Sequence, residues 1–167
     1  MDEAGFWDVI ERAYAALECG YYDDEPAEAV AQAWRDEVPA ADVADFADHF
    51  ARAMERARRP GVLAAARLLA GATDDERDTL LRYGDGYAAF RASLIALGRS
   101  SFEAVLADPD VLASLPDADA VDRGDWHFFM PLHTVFARGR RTDEDVDPPP
   151  VEAHLPALSA RFPNGAV

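Results

Sequence analysis

Residues 83–112 read YGDGYAAFRASLIALGRSSFEAVLADPDVL, and the spacing of their apolar side chains decides the fold. Tyr87, Phe90, Arg91, Leu94 and Ile95 recur at steps of three and four, the period of one helix face, and Gly98 falls on the same line. Phe102, Val105 and Leu106 continue the pattern past Gly98, and Pro109 and Pro116 bracket a single turn. No run in the chain alternates apolar and polar residues between turn signals, so no sheet is required.

Outward from this segment the same period returns. Phe6, Trp7, Ile10, Ala13, Tyr14 and Leu17 form the stripe of a first helix that Cys19 and Gly20 end. Pro26 suits the first turn of a second helix. Pro39 opens a third, whose buried stripe is Val43, Phe46, Ala47, Phe50, Met54 and Ala57, and Pro60 with Gly61 breaks it. The stretch from Val62 to Leu69 is short, alanine-rich and apolar, suited to a closely packed helix. Thr73 with Glu76 marks another helix start. The aromatic run from Trp126 to Phe136 is kinked or split by Pro131, residues 138–151 (RGRRTDEDVDPPPV) compose a mobile loop, and Pro156 starts a last turn or two. The predicted fold is all-α, a single irregular bundle of about six to eight helices spanning residues 1–167. Its predicted core is Phe6, Trp7, Ile10, Phe46, Phe50, Phe90, Leu94, Ile95, Phe102 and Leu106.

Composition narrows the partners. The 167 residues carry 32 acidic and 16 basic groups, a formal charge of −16. Residues 1–50 hold 14 acids against Arg12 and Arg35, a net of −12, whereas residues 51–100 are net +3 and residues 101–167 net −7. Such a chain repels phosphate backbones and anionic lipid, so nucleic acid and membrane are not expected partners and a basic protein is. One cysteine, Cys19, excludes an intramolecular disulfide and fits a reducing compartment. No run of eighteen apolar residues occurs, and the opening MDEAGFWDV is acidic where a signal peptide is basic. The expected location is the cytoplasm.

The signatures of catalysis are missing: no glycine-rich phosphate loop, no GxGxxG, no HExxH, no GxSxG and no CxxC. His127 and His133 are six apart, a spacing that does not put two ligands on one helix face. No metal and no cofactor is therefore expected. One polar group stands out, formed by Asp85, Arg91, Asp108 and Asp110. Arg91 lies between Phe90 and Leu94, so its stem runs along the core and its guanidinium needs partners. Those are an aspartate of this group or loop carbonyls. Either Arg91 clamps a loop to the bundle, or it holds an anionic or carbonyl ligand in a pocket where an aspartate is the base. His127 and Trp7 complete the candidate set.

The segment from Tyr83 to Leu112 resembles the core motif of bacterial domain-of-unknown-function family 4240, which runs roughly SDDGF, two variable residues, FRGWLIAQGR, an F-E-A-type helix and DPDSL. Asp85, Gly86, Phe90, Arg91, Leu94, Ile95, Gly98, Arg99, Phe102, Asp108, Pro109, Asp110 and Leu112 hold the matching positions. Phe6, Trp7 and Ile10 resemble the family's opening helix, and Leu155, Pro156, Leu158 and Phe162 its closing segment. Tyr83 and Gly84 stand where the motif has Ser and its first Asp, Tyr87 replaces its Phe, and Ser93 replaces its Trp. The resemblance implies fold and extent and brings no activity with it. Two functions are weighed on these residues: a non-catalytic protein-binding, regulatory or immunity-type domain, and a small-molecule binder or enzyme built on Asp85, Arg91, Asp108 and His127.

Overall fold

A computed structural model of the chain describes residues 1–17, 36–69, 86–114 and 155–161. Among these residues the fold is all-α, with seven helical segments and no strand. They are α1 (Glu3–Leu17), α2 (Val43–Arg56), α3 (Pro60–Leu69), α4 (Gly86–Ala96), α5 (Arg99–Ala107), a 3-10 helix (Pro109–Ser114) and α6 (Pro156–Arg161). The expected second helix at Pro26, the helix start at Thr73, the run from Trp126 to Phe136 and the loop 138–151 lie outside the described residues, as do Cys19 and Gly20. No described helix is long and apolar enough to cross a membrane.

All ten residues of the predicted core are buried in one cluster. The helix α4 is its axis and contacts α1, α2, α3 and α5. Its apolar stripe is wider than the spacing suggested, for Ala88, Ala92, Ser93 and Ala96 are buried together with Tyr87, Phe90, Leu94 and Ile95. Small side chains on the far side of the helix allow α3, itself buried at Val62, Leu63, Ala64, Ala65, Ala66, Leu68 and Leu69, to pack against it. The helix α1 enters through aromatics: Phe6 lies 5.0 Å from Phe46 of α2, and Trp7 lies 5.3 Å from Phe102 of α5.

Two boundaries differ from the expectation. Pro39 does not open the third helix, because its carbonyl accepts the Asp42 amide at 2.8 Å in a separate turn and α2 begins at Val43. Val43 is therefore 43 % exposed at the mouth of the helix, one turn ahead of Phe46, where the contact with α1 starts. Pro60 does more than break α2. It stands first in α3, where a missing amide proton costs nothing. Gly98 separates α4 from α5 with φ +86° and ψ 169°, a conformation essentially reserved for glycine.

Candidate functional site

Arg91 is 7 % exposed, and its surroundings explain how a guanidinium is kept there. Its Nη1 donates to the Met54 carbonyl at 3.1 Å and its Nε to the Tyr87 carbonyl at 3.4 Å. The guanidinium carbon stands 4.6 Å from the centre of the Tyr87 ring, within cation–π range. Met54 lies in the last turn of α2, where carbonyls lack intrahelical partners, so Arg91 closes that helix end from another helix. Both of these acceptors are helix carbonyls, one of α2 and one of α4 itself, where the sequence offered an aspartate or loop carbonyls.

Tyr87 finishes the same corner. Its hydroxyl lies 3.1 Å from the Ala57 carbonyl and 3.2 Å from the Arg59 carbonyl, and the Arg59 amide reaches it at 3.3 Å. The three residues between α2 and α3 are thus held from α4. Arg59 passes the tie onward, its Nη1 donating to the Leu106 carbonyl in the last turn of α5 at 3.0 Å. Sequence reasoning missed both Tyr87 and Arg59. The available signal was a tyrosine at the motif's phenylalanine position, since a buried phenol seeks a hydrogen-bond partner.

Asp108 and Asp110 act at the next junction. The Asp108 carboxylate accepts the Asp110 amide at 3.0 Å and turns the chain into the 3-10 helix. Asp110 accepts the Ala157 amide at 2.9 Å on one oxygen and the Leu158 amide at 2.8 Å on the other. It is an N-cap for α6, supplied from 47 residues away in sequence. Gly61 makes room beside it: a Cβ there would meet the Pro109 ring at 3.1 Å.

Trp7 is 3 % exposed and packed on Phe6 and Phe102, so it joins α1 to α5 within the core. Asp85 and His127 lie outside the described residues. His49 is half-buried, stacked 5.7 Å from Phe6 with Nε2 3.4 Å from the Met1 carbonyl. Among the described residues no three His, Cys, Asp or Glu side chains converge as metal ligands would.

The acids of the N-terminal third have a different setting. Asp8 and Glu11 of α1 are exposed, as are Asp45 and Asp48 of α2, on the solvent sides of two adjoining helices. Arg12 pairs with Glu37 at 3.7 Å and Arg99 with Glu3 at 3.6 Å, both at the surface. The Met1 ammonium sits between Asp42, at 3.2 Å, and Asp45. Its hydrogen bond holds the Asp45 carboxyl below the ordinary carboxylate value, and the two aspartates raise the ammonium in turn.

Residues 1–139 match the model of a family described as a protein of unknown function, DUF4240. No curated protein and no solved structure matches the chain.

Proposed function

The chain belongs to the DUF4240 family, and from that premise we propose that it is a small non-catalytic domain that binds a basic protein, in a regulatory or immunity-type role in the cytoplasm. The observation that carries this reading is the outer surface of α1 and α2, where Asp8, Glu11, Asp45 and Asp48 are exposed against Arg12, Arg52 and the Met1 ammonium that pairs with Asp45. Carboxylates set in one field steer an oppositely charged partner and discourage wrong ones, and the attraction falls as salt screens it. Of the four residues weighed for a small-molecule pocket, the two that are described, Arg91 and Asp108, each make contacts within the fold. Arg91 braces the end of α2, and Asp108 shapes a turn.

The test is capture by the full chain as bait, beside a variant carrying Asp8→Asn, Glu11→Gln, Asp45→Asn and Asp48→Asn. Basic proteins retained by the parent should be lost both from the variant and at salt raised to about 0.5 M, where the Debye length shrinks to a few ångströms. Equal capture by both chains, or capture indifferent to salt, defeats the proposal.

A further inference from the structure

We propose that the groove formed by the 3-10 helix and α3 is a peptide-recognition site, filled here by the chain's own residues 155–161 and able to take the same segment from a second copy. This surface is separate from the acidic side of α1 and α2, and the proposal stands or falls without it. The starting point is the length of α6. Six residues cannot sustain a helix in water, because nucleation costs more than one turn returns, so α6 is helical through what it docks against. It packs on the 3-10 helix and on α3.

The contacts have the form of a recognition site. Leu155 and Leu158, three apart, are 1 % and 0 % exposed and serve as anchors. The Asp110 carboxylate reads the start of the helix through two successive amides, at 2.9 and 2.8 Å. Arg161 closes the other end by donating to the Ala113 carbonyl. Two apolar anchors at helical spacing with polar contacts at both ends make up a helix-in-groove mode. The two sides also lie apart in the sequence. Asp110 and Ala113 fall within the family match, which ends at residue 139; residues 155–161, which the sequence suggested as the family's closing segment, fall beyond it. Forty residues, 115–154, separate the 3-10 helix from Leu155. Nothing in the contacts requires that the segment come from the same chain. The tethered copy wins by effective concentration alone, so exchange depends on local opening of α6.

Hydrogen exchange on the unmodified full chain tests this first. The Ala157 and Leu158 amides should exchange at least about tenfold faster than the Phe102 amide, through an opening that leaves the rest of the core protected. Exchange of all three at one common rate overturns the proposal. The second test uses a labelled peptide of residues 152–164 and the full-chain variant Leu155→Asp/Leu158→Asp, which empties the groove. The variant should bind the peptide at least about tenfold more tightly than the parent, and adding Asp110→Ala should remove at least about tenfold of that affinity. A variant with a parental circular dichroism spectrum that ignores the peptide, or binds it equally well without Asp110, refutes the proposal. Should the variant not fold, the exchange rates decide alone.

Discussion

Charged side chains occupy two regions of this molecule on opposite terms. Around α4 and the 3-10 helix, Arg91, Asp110 and Arg59 each reach across to the end of another helix and satisfy backbone groups there. On the outer side of α1 and α2, Asp8 and Asp48 project into water from helices whose packing is done by Phe6, Phe46 and Phe50. In the first region charge is fixed by geometry and holds the bundle's corners, so its loss is felt as stability. In the second, packing asks nothing of the charge, and its loss is felt only by a partner. Short helices explain why the first region is needed. A helix of about ten residues has most of its backbone groups in its end turns, and ends buried against neighbours must find partners in other elements.

The comparison breaks first at Arg91. Arg91→Ala removes a charged donor from the Met54 carbonyl and the cation from the Tyr87 ring, and leaves a gap where its stem packed. A loss on the order of 3 kcal/mol is expected, from a charge-assisted hydrogen bond together with buried packing. Arg91→Lys should recover part of it, since the charge returns without the planar fork. Urea unfolding measures both. A loss within about 0.5 kcal/mol, as at an ordinary surface position, would move Arg91 into the second region.

Gly98 is where the two regions touch, because Glu11 of α1 lies over it: a Cβ at Gly98 would meet the Glu11 side chain at 3.3 Å. Glu11 is exposed and can yield, but the backbone at φ +86° and ψ 169° cannot. Gly98→Ala should therefore cost about 2 kcal/mol through strain, and shortening Glu11 to Ala in the same chain should restore little. If the double variant regains most of the loss, crowding by Glu11 is the cause and the strain argument fails.

The core was legible in the sequence because helical period is a local signal: a residue's neighbours three and four positions away say which way it faces. The need of Arg91 for a partner was legible too, since an apolar neighbourhood declares the cost of a buried charge. Which partner it takes was not. Met54 is 37 residues away, and a backbone carbonyl leaves no mark in an amino-acid sequence. Asp110 shows the same limit more sharply. Its neighbours in sequence suggested a partner for Arg91, yet both its oxygens go to α6. Val43 marks the limit of periodicity itself, which assigns a face but not the point along a helix at which burial begins.

The smallest expected effect lies at Asp48, and it sharpens the comparison most. Asp48 is exposed on α2 between Asp45 and Arg52, each close enough along the helix to interact with it. Removing its charge gives up attraction to Arg52 and relieves repulsion from Asp45 in a chain already at −16. The two changes oppose each other in solvent of high dielectric, where exposed pairs contribute little. Asp48→Asn should therefore leave stability within about 0.5 kcal/mol of the parent, with no change in the slope against urea. If the second region serves association, the same variant should slow the encounter with a basic partner at low salt, and the difference should vanish as salt is raised. A clear loss of stability would mean that Asp48, like Asp110, satisfies the fold, and the division between the two regions would not hold.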